Sequence, residues 1–260
     1  MELNGAPVTL AELASLGLVG FGHFTSMRVE NRAVRGLSLH LERLTRDCRT
    51  VFDVDLDSER VRAFVRHALR DIDDTVVVRV TVFDPHLELS KPGADTEPQV
   101  LVSTRKAPPS PQGPLKLQSA VYSRDLPKVK HVGLFGALYQ RRAAQRNGFD
   151  DVLLTTPDGT IAEIATSNIG LITSDGQLVW PQADVLPGIT MQLISQTRDE
   201  EVTSWPITLA QLPEFVAAVA TNAATGVRAI ASIDDTHWPA DHELIGRIRK
   251  EYESIPAQQI

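Results

Sequence analysis

The sequence predicts a mixed α/β (α+β) fold in two domains, and three observations support this prediction. Stretches rich in β-branched residues, such as residues 75–83, indicate strands. Other stretches, such as residues 58–71, repeat apolar residues at helical spacing. Four prolines within residues 108–114 can continue neither a helix nor a central strand. We therefore expect a small N-terminal α/β domain over residues 1–107, a linker over 108–114, and a larger C-terminal domain over 115–260.

The first domain begins with a glycine-rich apolar segment that leads into a strand. Residues 24–29 alternate in polarity, and residues 31–34 indicate a turn into a second short strand. Two amphipathic helices follow over residues 39–51 and 58–71, the second with Ser58 as a helix cap. Strands over residues 75–83 and 99–104, separated by a proline-containing loop, complete the domain.

The second domain is predicted to be rich in hairpins. Turn sequences with glycine separate short apolar runs, which indicates two successive β-hairpins. The expected strands are residues 115–123, 151–156, 160–163, 169–173, 178–180, 215–221 and 227–233. The expected helices are residues 132–147, 188–197 and 241–253, with a short helix near residue 209.

Composition excludes several classes of protein. The 260 residues are 42% apolar and 23% charged, as in ordinary globular domains, and the net charge of −7 argues against a nucleic-acid partner. Cys48 is the single cysteine, and the seven histidines lack metal-ligand spacing, so no disulfide within the chain and no metal are expected. The N-terminus lacks a secretory signal, and no apolar run reaches the ~20 residues that span a bilayer. We expect a cytoplasmic protein without membrane contact.

Four features could carry chemistry, although each has an ordinary alternative. Lys130 precedes a helix and could be a carbonyl-trapping amine, or a solvated surface lysine. Glu163 ends a hairpin strand and could face a cleft, or be an ordinary strand-end carboxylate. Residues 186–190 (Leu-Pro-Gly-Ile-Thr) open a helix and could bind phosphate, or form a plain cap. Arg43 could clamp phosphate, or lie on the surface.

In this order the features resemble the class IV aminotransferases, the pyridoxal 5′-phosphate (PLP) enzymes of fold type IV. The resemblance covers roughly residues 15–235 and is most specific over residues 158–168 and 186–190, with further matches at residues 24–29, 40–44 and 148–154. It implies a two-domain fold whose larger domain has a β-barrel-like core. The family includes branched-chain and D-amino-acid aminotransferases, amine transaminases and aminodeoxychorismate lyase.

The resemblance also implies roles for individual residues. Lys130 would hold PLP as a Schiff base and, once freed, would shuttle a proton between the substrate carbon and the cofactor. Glu163 would pair with the pyridine nitrogen. The phosphate would be bound by Arg43, Gly188, Ile189, Thr190 and, as a weaker assignment, Asn222. The substrate side of the pocket would include Phe24, Thr25 and Arg28.

The chain departs from the family pattern in three places that bear on its substrate. Phe135 stands where many members have tyrosine, residues 20–23 lack the usual Gly-Asp-Gly, and residues 80–86 show no clear carboxylate trap. The leading prediction is transamination between a small amino donor and a keto acid by a homodimer. The alternative is aminodeoxychorismate lyase, which eliminates pyruvate to give 4-aminobenzoate; residues 24–29 and the Lys130-His131 pair resemble that enzyme. A non-catalytic PLP-binding protein is a third possibility.

Overall fold

The computed structural model of the protein describes residues 1–198 and 202–260. The helices in this part of the chain are α1 (Leu10–Leu18), α2 (Leu37–Phe52), α3 (Ser58–Ala68), α4 (Phe135–Arg146), α5 (Ile189–Thr197) and α6 (Glu243–Ser254), with a 3₁₀ helix at Leu209–Glu214. The first strands are β1 (Glu2–Leu3), β2 (Ala6–Pro7), β3 (His23–Val29), β4 (Ala33–Arg35), β5 (Val76–Phe83) and β6 (Gln99–Lys106). The later strands are β7 (Leu115–Val121), β8 (Asp151–Thr155), β9 (Ile161–Ile164), β10 (Asn168–Ile172), β11 (Leu178–Pro181), β12 (Val202–Trp205), β13 (Ala217–Asn222), β14 (Gly226–Ile233), β15 (Thr236–His237) and β16 (Ala257–Gln259).

The first compact unit comprises Met1–Pro108, Val129–Gly133 and Pro256–Ile260. Its antiparallel sheet has the order β2-β1-β6-β5-β3, and β16 pairs with β4. Because side chains alternate across a strand, one face of β5 presents a row of valines to the core. Helices α2 and α3 pack on this face, and Cys48 is fully buried there.

Helix α2 buries two neighbouring stripes. The apolar stripe joins the core, since its residues recur every three or four positions: Leu37, Leu41, Leu44 and Cys48. The second stripe is polar and also buried: His40, Arg43 and Asp47. Buried polar groups need partners, so the three residues of this second stripe are candidates for a functional site.

The second compact unit comprises Pro109–Lys128 and Leu134–Ile255. Its sheet runs β12-β11-β10-β13-β14-β7-β8-β9, with β15 paired to β14. The path curls on itself, because the end strand β9 turns directly into β10 and lies against it. The enclosed side chains, from Leu117, Ile164, Leu171 and others, form an apolar core. The result is a half-barrel.

The predicted mixed α/β class with a barrel-like larger sheet is confirmed. The expected helix over residues 132–147 begins only at Phe135, because the Val132 N–H donates to the Gly22 carbonyl (2.9 Å) and His131 forms a β-bridge with His23. Helix α1 and strands β1, β2, β12, β15 and β16 were not predicted. The division of the chain at residues 108–114 stays a prediction. Among the described residues, no helix is long and apolar enough to cross a membrane.

Candidate active site

Lys130 has both of its backbone polar groups engaged within the first unit. Its N–H donates to the Asp47 carboxylate (Oδ2, 3.0 Å), and its carbonyl accepts from the Phe24 N–H (2.8 Å). The Lys130 Nζ lies 4.9 Å from the centroid of the Phe24 ring, within range of a cation–π interaction. The lysine is thus fixed against strand β3 and helix α2.

Arg79 approaches the same phenyl ring from strand β5. Its Cζ lies 3.6 Å from the Phe24 centroid, and its Nε donates to the Thr81 hydroxyl (3.2 Å). Burial lowers the pKa of Arg79. Two cationic side chains on one ring make this region suitable for an anionic group. Arg79 was not predicted as a site residue, although a charged residue inside a run of β-branched residues is a signal.

The polar stripe of α2 meets the buried Thr25 hydroxyl of strand β3. Arg43 Nη2 donates to Thr25 Oγ1 (2.5 Å), which lies 2.7 Å from His40 Nδ1. Burial lowers the pKa of His40 well below its usual value, and the charges of Arg43 and Lys130 lower it further. The imidazole is therefore neutral. The Thr25 oxygen accepts from Arg43 and has a second lone pair and one proton, so its bond with Nδ1 runs in the direction set by the tautomer of His40.

Arg43 retains its charge and an unused donor. Burial lowers the pKa of Arg43 to about 10, against the opposing effect of Asp47, so the guanidinium is protonated at neutral pH. In residues 1–198 and 202–260, neither Arg43 Nε nor His40 Nε2 has a hydrogen-bond partner, and both atoms are buried. An unpartnered buried donor such as Arg43 Nε is uncommon and is suited to a ligand.

The predicted substrate residues have different surroundings. Phe24 packs beneath Lys130, as described above. Arg28 donates to the Glu30 carboxylate (2.6 Å), just past the end of β3, and to the Pro108 carbonyl (2.9 Å), just past the end of β6. The Thr25 hydroxyl is committed to Arg43 and His40. A substrate role for all three stays a prediction.

Glu163 forms a buried ion pair in the second unit. Its Oε1 accepts from Arg124 Nη1 at 3.1 Å, and the two side chains are only 9% and 10% exposed. Both residues line a cavity of about 510 Å³, together with Tyr122, Thr156 and Gln182. That volume is in the usual range for small-molecule sites. Arg124 was not predicted, because nothing in a single sequence connects it to a residue 39 positions later.

The N-terminus of α5 is built around a close backbone contact. The Asn168 amide donates to the Leu186 carbonyl (2.8 Å), and a Cβ at Gly188 would lie 1.9 Å from Asn168 Oδ1. Only glycine fits there. Gly188 is the N-cap and supplies no side-chain bond, so the first N–H groups of the helix are open to a ligand.

Two buried hydroxyls lie at this helix start without partners in the described chain. Thr190 is in the first turn of α5, and Thr221 of β13 is the register partner of Asn168; both are 1% exposed. An unpaired buried hydroxyl costs free energy unless a ligand satisfies it. Together with the uncapped helix, the two hydroxyls form a cradle for an anion, here called the α5 cradle (Gly188, Ile189, Thr190 and Thr221).

Asn222, the predicted phosphate ligand, has structural partners. Its amide donates to Ser167 Oγ (2.9 Å), and its Oδ1 accepts from the N–H groups of Ala224 and Thr225, each at 3.0 Å. These bonds organise the turn between β13 and β14. Its neighbour Thr221, which was not predicted as a ligand, has a hydroxyl without a hydrogen-bond partner among the described residues. The phosphate role of Asn222 stays a prediction.

Comparison with known proteins identifies the family. Residues 22–233 match the model of the amino-transferase class IV family. The chain belongs to the class IV aminotransferase family. A probable branched-chain-amino-acid aminotransferase of Rickettsia felis is 35% identical over 126 residues, which is 46% of this chain and 43% of that relative. The chain thus aligns with less than half the length of the curated relatives it matches.

Solved structures share the class IV fold. The branched-chain aminotransferase of the thermophilic archaeon Thermoproteus uzoniensis, solved with norvaline, superposes with a TM-score of 0.82 at 20% identity, covering 95% of this chain and 89% of that one. A hypothetical aminotransferase of Mycobacterium tuberculosis in its PLP-bound form gives 0.81 at 18% identity, covering 95% and 94%. A putative 4-amino-4-deoxychorismate lyase of Legionella pneumophila gives 0.81 at 21% identity and covers 93% of both chains. At these identities the likeness shows the fold alone.

Proposed function

We propose that this protein is a PLP-dependent aminotransferase with Lys130 as its catalytic residue. The observation that carries the proposal is the α5 cradle. It combines a helix N-terminus without a side-chain cap and two buried hydroxyls without partners among the described residues. A phosphate ester satisfies all of these donors. Bound PLP supplies an electron sink that stabilises negative charge on the substrate carbon.

The phosphate contacts follow from the donors available. In the second unit, the N–H groups of Ile189 and Thr190 and the hydroxyls of Thr190 and Thr221 would bind phosphate oxygens, with Gly188 permitting the close approach. In the first unit, Arg43 retains a buried unpartnered Nε and a positive charge. Its planar guanidinium suits phosphate.

Glu163 would hold a proton on the pyridine nitrogen. A carboxylate is the side chain suited to accept that N–H, and the buried Arg124 keeps the Glu163 carboxylate in one orientation. The Lys130 amine would be the point of covalent attachment. When free, it would take a proton from the substrate carbon and return it, as general base and then general acid.

The substrates would be a small amino donor and a keto acid. A keto acid carries a carboxylate, and Arg79 at the Phe24 ring of the first unit offers a cation to bind it. The Thr25 hydroxyl is committed to His40 and Arg43, which leaves it poorly placed as the proton donor of the lyase alternative.

The test of the reaction is amino-group exchange. Purified protein with PLP is mixed with single amino acids, and the visible absorption of the cofactor is followed before and after adding keto acids. We expect a donor to bleach the band and an acceptor to restore it. Release of pyruvate from aminodeoxychorismate without an acceptor would favour the lyase instead. A band that no substrate moves would indicate a non-catalytic PLP-binding protein.

We also propose that the protein is a homodimer. Helix α4 exposes an apolar face at Phe135 (82%), Leu138 (48%) and Tyr139 (59%), which lie three and four residues apart. Contiguous exposed apolar residues on one helix face are typical of an interface between subunits. Light scattering would give the mass in solution.

A further inference from the structure

Asp47 is a fully buried carboxylate beside the proposed catalytic lysine. It lies one helical turn after Arg43 on the polar stripe of α2 and is 0% exposed. Its Oδ1 accepts from Arg46 Nε (3.0 Å) and Nη2 (2.7 Å), and its Oδ2 accepts from the backbone N–H of Lys130 (3.0 Å). None of the roles described so far explains a charged group at this position.

We propose that Asp47 is a positioning residue, which fixes the backbone of Lys130 to helix α2 so that its side chain starts from one defined place. The inference rests on the proposed role of Lys130. The carbonyl of Lys130 is held by strand β3 through the Phe24 N–H, and Asp47 holds the other side of the same residue.

The need for such an anchor follows from the local chain. Residues 129–133 lie outside the helices and strands of the described chain, and His131 forms an isolated β-bridge with His23. The lysine side chain has four rotatable bonds, so a fixed Cα limits the positions that its amine can reach. A displacement of about 1 Å at a reacting group can cost about a hundredfold in rate.

The carboxylate of Asp47 lies close to two positively charged side chains. Arg46 is its direct ion-pair partner, and the carboxylate also stabilises the charge of the buried Arg43. Arg46 is half exposed and can be solvated without Asp47. The acceptor of the Lys130 N–H is, in contrast, fully buried, because Asp47 is 0% exposed.

Hydrogen exchange on the protein without added cofactor tests the anchor directly. In Asp47→Ala, peptides spanning residues 129–133 should exchange roughly tenfold to a hundredfold faster, since a bond to a charged acceptor is lost. Asp47→Asn keeps an acceptor oxygen and should retain most of the protection. The matched control is Asp84→Ala, which removes another buried carboxylate of the same unit that accepts backbone N–H groups, from His86 (2.8 Å) and Glu97 (2.9 Å).

The rate of covalent attachment of PLP to Lys130, trapped by borohydride and read by mass spectrometry, tests the consequence. Asp47→Ala should attach PLP up to about a hundredfold more slowly, Asp47→Asn close to wild type, and Asp84→Ala like wild type even if it is equally destabilised. Attachment by Asp47→Ala at the wild-type rate, or equal slowing by Asp84→Ala, would overturn the inference and leave the proposed function standing.

Two further outcomes are decisive. If Asp47→Ala does not fold, Asp47→Asn still decides: a folded Asp47→Asn protein that has lost attachment would overturn the hydrogen-bond anchor. If the wild-type protein itself fails to attach PLP at Lys130, the proposed function fails and this inference with it.

Discussion

Replacing Thr190 by valine should change the stability of the protein and its affinity for PLP in opposite directions. The Thr190 hydroxyl is buried and has no partner in the described chain. An unsatisfied buried hydroxyl costs about 1–3 kcal/mol. Valine has the same shape without the hydroxyl, so the cofactor-free protein should gain ~1 kcal/mol, or about 2–4 °C in melting temperature.

The same substitution removes a phosphate ligand. A hydrogen bond to a charged group contributes about 1.5–3 kcal/mol, so the Kd for PLP should rise roughly tenfold to a hundredfold. Urea denaturation without cofactor and a PLP titration measure the two effects. Thr197→Val is the matched control, because it makes the same change in the same helix where the hydroxyl already donates to the Leu193 carbonyl (2.7 Å). A destabilised Thr190→Val protein with unchanged PLP affinity would refute the α5 cradle.

Three other predictions concern charge and assembly. Arg124→Gln should destabilise the protein by about 3 kcal/mol in urea, because it removes the buried guanidinium that pairs with Glu163. Adding Glu163→Gln should restore most of that stability while slowing amino transfer at least about a hundredfold. Burial lowers the pKa of His23 to about 4 from 6.5, so its contribution to stability is complete above pH 6.5 and is lost as the pH falls toward 4. His23→Phe should reduce this acid loss by about 3 kcal/mol in denaturation at pH 4 and pH 7, and an unchanged loss would contradict it. Phe135→Asp should yield monomers in light scattering, whereas Leu89→Asp, at another exposed apolar residue (74%), should not.

The sequence predicted the elements whose signals are local. The β-branched run that forms β5 and the three-to-four spacing of apolar residues in α2 are set by neighbouring positions, and both elements formed as expected. Helix α1 was missed because none of its residues is fully buried and its segment contains glycine. Strand β16 was missed because its register depends on β4, more than 200 positions away in the chain.

In the candidate site, too, local motifs could be recognised in the sequence, whereas contacts between distant residues could not. Residues in recognisable motifs, such as Lys130 and Glu163, could be singled out from the sequence by their resemblance to a family. Asp47 and Arg124 could not, because their importance lies in contacts with residues 83 and 39 positions away. The start of α4 was placed too early for a related reason: Val132 is taken into pairing with Gly22, which no local propensity reveals.

The central claim is that Lys130 is the residue to which PLP attaches. The most direct measurement is borohydride reduction of the protein with PLP, followed by proteolysis with a protease that does not cut at lysine and peptide mass mapping. Lys128, two positions earlier, is a built-in comparison in the same peptide. We expect one phosphopyridoxyl group, on Lys130, and none in Lys130→Ala. Label on Lys128 instead, or an equal yield in Lys130→Ala, would contradict the account.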